Sequence, residues 1–423
     1  MIPAPLRIPA FRAFWLARLT STIAQMAMVI VIGWQVYDIA RQSMGVGDAA
    51  FQLGLIGLFQ FLPLFALTPV SGWAADRFDR RHITRAVLGL ELLCALILFA
   101  ATWSGRISLP ILFSVAALLG VARAFAGPAF SALAPNLVPR DLLPRAIALS
   151  STAWQAGAII GPALGGILYD IMPHLSYAFS SLLFAFAALC MFLIGPVPRA
   201  AVERGNPLRR MAEGLRYIRR NQLVLGAITL DLFAVLLGGV TAMLPIYARD
   251  ILEVGAQGLG PLRAAPAIGA TLTAIYFSFR PIRNNVGVKM LAAVAVFGAA
   301  TALFGVSRWM PLSLAMLALL GAADMFSVYI RQSLIQLHTP DAMRGRVGAA
   351  ATLAISASNE LGEARGGFTA ALVGPVTATV AGGLAAIAVT VAWSRIFPAL
   401  REARTFNLPE PAPEKPPVVA GGA

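Results

Sequence analysis

The sequence predicts an all-α membrane protein of twelve transmembrane helices, arranged as two pseudo-symmetric six-helix bundles. Three observations predict it: twelve long apolar stretches, loops that alternate between arginine-rich and arginine-poor, and an internal repeat whose period spans six of the stretches. Of the 423 residues, 58% are hydrophobic and only 12% charged, with a mean hydropathy of +0.77. A soluble domain has no interior large enough to hide that much apolar surface.

The stretches run approximately from Phe11 to Tyr37, Leu53 to Ala75, Ala86 to Trp103, Ile107 to Ala132, Ala146 to Leu168, Tyr177 to Ile194, Leu223 to Tyr247, Pro261 to Phe279, Val286 to Val306, Pro311 to Leu334, Val347 to Val373 and Thr377 to Phe397. Each is near the roughly 20 residues that a helix needs to cross about 30 Å of hydrocarbon. Of the 33 Lys and Arg, 24 fall in the termini and even-numbered loops, 4 in the odd-numbered loops and 5 inside spans, counting Arg12, Lys289 and Arg395 with their flanks. By the positive-inside rule both termini and the central loop are cytoplasmic, as in a multi-pass protein of the cell (inner) membrane. The N-terminus shows no short apolar core with a small-residue cleavage site, so the first span is expected to stay as an uncleaved anchor.

Shifting the sequence by 201 positions aligns Leu118 to Gly166 with Leu319 to Gly367 without a gap, and 15 of 49 positions are identical. The matches include Gly120, Phe125, Pro139, Arg145, Gly161, Gly165 and Gly166 against Gly321, Phe326, Pro340, Arg346, Gly362, Gly366 and Gly367. The fourth and fifth spans are thus repeated as the tenth and eleventh. An even number of spans separates the copies, so the halves have parallel topology about an axis along the membrane normal. The expected units are a bundle over 1–196, a cytoplasmic linker over 197–222, a second bundle over 223–398 and a disordered, proline-rich tail over 399–423. In the linker, Leu208, Met211, Leu215 and Ile218 share one helical face opposite arginines, as in a helix lying on a membrane surface.

The net charge of +14 reflects arginines spread over short loops, where they anchor topology on anionic lipid, so no nucleic-acid partner is expected. Cys94 and Cys190 lie inside spans without metal-ligand spacing, and His82, His174 and His338 lie in or beside loops; no metal site or embedded enzyme is expected. No Gly-rich Lys-Ser/Thr phosphate loop is present either.

After the second span comes Gly72-Trp-Ala-Ala-Asp76-Arg77-Phe-Asp79-Arg80-Arg81, which resembles the signature loop of the major facilitator superfamily. In that family the glycine lets helices approach and the aspartate and arginines hold the cytoplasmic gate, so the resemblance implies gating roles for Gly72, Asp76, Arg77, Arg80 and Arg81. Asp79 stands where the family usually has glycine. The fifth span carries Gly157, Gly161, Pro162, Gly165 and Gly166, similar to the helix motif of the superfamily's antiporters. Its glycines recur at i, i+4 and i+8, a smooth ridge for a neighbouring backbone, and Pro162 is expected to bend the helix. The fourth span, with Leu119, Arg123 and Gly127, partly matches the arginine motif of the same antiporters. Leu230 to Gly239, Leu244 to Leu252 and Leu262 to Pro266 resemble the branch of transmembrane secretion effectors and siderophore exporters. The resemblance covers Phe11 to Leu400 and implies export of siderophores or amphipathic drugs, with an importer or lipid flippase of the same fold as the alternative.

Five acids (Glu91, Asp231, Asp324, Glu360, Glu363) and five arginines (Arg18, Arg123, Arg263, Arg331, Arg365) lie inside spans. Each costs about 2.5–3.5 kcal/mol on insertion scales, so each is a functional candidate. Arg123 and Asp324 occupy equivalent repeat positions, which makes an ion pair between the halves a natural expectation. Glu360 and Glu363 share a helical face while Arg365 lies about 200° from Glu363, so the two acids are expected to approach one another and Arg365 to point elsewhere. With Asp231 they are the expected proton carriers. Arg18, Ser21, Thr22 and Gln25 form one stripe on the first span, and Arg331 and Arg365 join the expected cavity charges. The resulting expectation is a monomeric, proton-driven antiporter, without cofactor, that moves a small molecule through the bilayer by rocking two halves around a central cavity.

Overall fold

The computed structural model describes residues 3–196, 207–280, 282 and 284–406; among them there is no strand. The first half holds α1 (Pro9–Arg41), α2 (Val46–Arg77), α3 (Arg80–Trp103), α4 (Leu109–Leu133), α5 (Leu143–Ile171) and α6 (Pro173–Phe192). The short α7 (Pro207–Arg220) precedes α8 (Gln222–Gly238), α9 (Leu244–Ile246), α10 (Gly255–Phe279), α11 (Val286–Val306), α12 (Met310–Leu337), α13 (Asp341–Val373), α14 (Pro375–Ile396) and α15 (Pro398–Arg401). The result is the twelve-span, two-bundle architecture the sequence predicts. The end where α1 hands over to α2 is termed distal, and the end carrying α7 terminal.

Nine described helical spans are apolar and long enough to cross a membrane by composition alone. The long helices that miss that standard are α5, α10 and α13, and they line the seams between the halves, where α5 meets α10 and α13 meets α2. A helix that faces another helix rather than lipid is free to carry small and polar residues.

The repeated glycines do the same work twice. A Cβ on Gly120 would sit 2.4 Å from Gln60 O of α2, and one on Gly321 1.9 Å from Pro266 O of α10. Gly161 meets Ile23 O of α1 at 2.6 Å, as Gly362 meets Val235 O of α8 at 2.9 Å. Gly166 and Gly367 face across the seams instead, toward Ala256 O (2.6 Å) and Gly54 N (2.3 Å). Helix α5 runs unbroken through Pro162, whose carbonyl faces Gly260 across the seam.

The seventh span departs from the expected continuous stretch. Helix α8 stops at Gly238, a 3-10 turn covers Thr241–Met243, and α9 continues into a π-turn over Tyr247–Ile251. Adjacent Gly238 and Gly239 make the backbone easy to break, and α13 supplies the missing hydrogen bonding: Arg365 Nη2 donates to Leu237 O at 2.5 Å. Arg365 therefore points away from the acids of its own helix and into the break after α8, within its own half, rather than joining the cavity charges with which the sequence grouped it. In the linker, α7 is helical but buries Ile218 against Val224, Val347 and Ala350, so that part of the apolar face expected on a membrane surface packs on α8 and α13 instead, while Leu208 falls outside the described side chains. The predicted tail beyond residue 406 also lies outside the described residues.

Candidate transport pathway and coupling site

At mid-depth the seam between α2, α4 and α13 holds an ion pair between the halves. Arg123 Nη1 lies 2.6 Å from Glu360 Oε1 and donates to Gln60 Oε1 at 3.1 Å. Glu360 is 3% exposed, and its second oxygen, Oε2, is sealed without a hydrogen-bond partner. Beside it, Arg263 Nη1 on α10 is 3.8 Å from Glu363 Oε1. Arg263 and Glu363 line a cavity of about 50 Å³ between the halves, walled by Val29, Gly33, Ile56 and Gln60 of the first half and Leu244 and Pro245 of the second.

These pairings correct two expectations. Arg123 bridges the halves through Glu360 and not through Asp324. Its long side chain leaves α4 for the seam, whereas the short carboxylate of Asp324 stays inside the second bundle, lining a small cavity with Asp231, Phe297 and Ser327. Glu360 and Glu363 do share a face, but each has its own arginine, so the cluster is a chain of alternating charges and not two carboxylates left to each other. Arg331, expected among the cavity charges, is buried and paired with Asp231, itself buried, within the second half. Asp231 is thereby separated from the α13 acids with which the sequence grouped it. Arg18 and Gln25 remain on the α1 stripe with no hydrogen-bond or ion-pair partner among the described residues.

The distal end is tied by residues that the sequence reasoning missed. Arg249 Nη1 contacts Asp38 Oδ1 at 2.5 Å and Asp38 O at 3.3 Å, and Arg41 Nε contacts Asp250 Oδ2 at 3.3 Å. Tyr37 donates to Asp250 as well, and Gln257 to Asp170. A signal was available: Asp38/Arg41 and Arg249/Asp250 are opposite-charge couples at the distal ends of the first and seventh spans, which the repeat makes equivalent. Further toward the terminal end, Gln155 Nε2 of α5 donates to Ala267 O (3.0 Å) and Thr271 Oγ1 (2.7 Å) of α10.

Comparison with known proteins places the whole chain. The profile described as transmembrane secretion effector matches residues 2–420. The chain belongs to the transmembrane secretion effector family. It is similar to the enterobactin exporter EntS of Escherichia coli O1:K1 / APEC, 26% identical over 403 residues and 94% of each chain. To EntS of Citrobacter koseri it is 25% identical over 415 residues, covering 97% of this chain and 96% of the relative. Among solved structures, the POT family transporter PepTSo superposes with a TM-score of 0.75 at 12% identity, over 93% of this chain and 98% of its own. A bacterial homologue of the human lysosomal transporter Spinster gives 0.70 at 16% identity, over 94% and 99%. This secretion effector is thus a multi-pass membrane transporter of the major facilitator fold, and not an enzyme.

The transporter's signature loop gains a local explanation for its unusual Asp79. The carboxylate caps α3 by accepting from Arg81 N at 2.9 Å and pairs with Arg81 Nη2 at 2.6 Å. Arg81 in turn donates to Ile194 O at 3.3 Å, and Arg85 to Met191 O, joining the start of α3 to the end of α6. The Arg81 hydrogen bonds hold the Asp79 carboxyl down at about 2. Gly72, expected to permit a close helix approach, has nothing among the described residues within 4 Å of where a Cβ would sit. Arg77 and Arg80 sit at the end of α2 and the start of α3, and the side chain of Asp76 lies outside the described residues. On α5, Gly157 and Gly165 abut Thr22 and Ala27 of α1. That ridge binds the first bundle together, while Pro162 and Gly166 of the motif face the other half.

Proposed function

We propose that this transporter is a proton-driven antiporter exporting an amphipathic small molecule, of which siderophores are the first class to test, by alternating access. It works in the bacterial inner membrane as a monomer, with both termini cytoplasmic and no cofactor. The loop arginine bias supports that orientation, and the enterobactin exporters among its relatives support the cargo class. One observation carries the coupling: a sealed carboxylate, Glu360, holds Arg123 of the opposite half beside the central cavity. A proton on Glu360 removes the charge that binds Arg123, so proton occupancy and separation of the halves are linked. Glu363, paired with Arg263 at the cavity wall, and Asp231, paired with Arg331, are the further proton-coupling residues. One proton moving down about 100 mV supplies roughly 2.3 kcal/mol, close to a fifty-fold gradient of a neutral solute.

The test is substrate-induced proton movement in proteoliposomes. Glu360→Gln and Glu363→Gln are expected to abolish uphill export while sparing downhill exchange of the same substrate. Unchanged proton movement in both variants and in Asp231→Asn would mean that coupling lies elsewhere.

A further inference from the structure

Of the five arginines inside spans, three have carboxylate partners: Arg123 with Glu360, Arg263 with Glu363 and Arg331 with Asp231. Arg365 has the Leu237 carbonyl. Arg18 alone has neither among the described residues. Its Nε is sealed without a hydrogen bond, and its guanidinium carbon lies 5.5 Å from the centroid of the Phe130 ring on α4. An aromatic face holds a cation in place without supplying an acceptor for its N–H groups. A desolvated guanidinium without a counter-ion is costly, and an anion that reaches it recovers that cost.

The rest of the α1 stripe describes that anion's shape. Ser21 and Thr22 donate their hydroxyls back to Arg18 O at 3.2 Å and 2.7 Å, so they have no hydrogen left to offer a ligand. Gln25, two turns on and about 10 Å along the axis, has no partner among the described residues. Val29 and Gly33 continue the same face at i+11 and i+15 and line the cavity between the halves. The face therefore runs from a free cation through a free amide to an apolar wall.

Resting on the exporter reading, we propose that Arg18 binds the charged end of the cargo, and that the substrates are amphipathic organic anions lying along α1 with the charge toward the terminal end and the apolar body in the central cavity. Gln25 then meets a polar group between the two.

Binding to the full chain in lipid nanodiscs tests this with 4-(2-naphthyl)butanoate and its uncharged primary amide. The wild type is expected to bind the carboxylate at least tenfold more tightly than the amide. Arg18→Gln should bring the two within twofold while leaving the amide's affinity unchanged, which shows that the fold is intact; Arg18→Lys should keep part of the preference. The control Arg12→Gln, an exposed arginine on the same helix, should change neither. Equal affinities in the wild type, no binding of the carboxylate, or a preference that survives Arg18→Gln would overturn the proposal. The exporter reading fails on a separate readout: wild-type proteoliposomes that move no amphipathic probe against a gradient.

Discussion

Under the proposed alternating access, neutralising the distal ion pairs measures how strongly they tie the halves together at that end. Arg249 and Asp38 are 30% and 35% exposed, Arg41 and Asp250 27% and 22%, so neither pair has the full strength of a buried bridge. Two unit charges 4 Å apart attract by about 4 kcal/mol at an effective dielectric of 20. Desolvation and side-chain ordering reduce such partly exposed pairs to about 1 kcal/mol each. Removing both, with Arg41→Gln and Arg249→Gln, therefore costs the closed state about 2 kcal/mol, a roughly thirty-fold shift in its population, since each 1.4 kcal/mol is tenfold. Spin labels on Ser43→Cys and Arg308→Cys, exposed distal positions in opposite halves, report the opening as a longer interlabel distance once the buried Cys94 and Cys190 are replaced by alanine. Each single variant should give about half of the effect, and raising salt should move the wild type in the same direction. The reasoning is refuted if the distance distribution stays put in the double variant, or if Arg106→Gln, an exposed distal arginine outside these pairs, broadens it equally.

Gly367→Ala places a Cβ 2.3 Å from Gly54 N, so it should lower thermal stability by about 1–3 kcal/mol, whereas Gly72→Ala, with open space around it, should leave the melting curve in place. Asp79→Asn keeps an N-cap side chain but loses the charged pair, and Asp79→Ala loses both, at about 0.5–2 kcal/mol for the cap. Because the folded Asp79 carboxyl is held at about 2, below its ordinary value near 3.9, its contribution is complete above about pH 4–5 and lost as pH falls toward 2. Hydrogen exchange at the start of α3 should show wild type and Asp79→Asn converging over that window. For topology, an impermeant thiol reagent should label Ser43→Cys from outside intact cells and Arg219→Cys only in inverted vesicles; the reverse pattern would invert the orientation.

Much of the charge chemistry was legible as inventory but not as pairing. Arg365 was correctly turned away from Glu363, because that follows from helical angle within one helix. Arg123 and Asp324 were equated by the repeat, yet side-chain length sends one into the seam and leaves the other inside its bundle. The distal pairs join residues more than 200 positions apart, Asp38 with Arg249 and Arg41 with Asp250. Each residue alone reads as an ordinary loop charge.

Twelve spans, their parallel duplication and the glycines that let helices meet were determined by the sequence itself, because span length, repeat period and residue size are local properties that a bilayer turns into architecture. The break after Gly238, the Arg123–Glu360 bridge and an Arg18 with no acceptor among the described residues were decided only by tertiary structure. They depend on how far each helix is rotated and how closely it approaches its neighbours, and an ionised side chain in low dielectric takes whichever partner that geometry brings within reach.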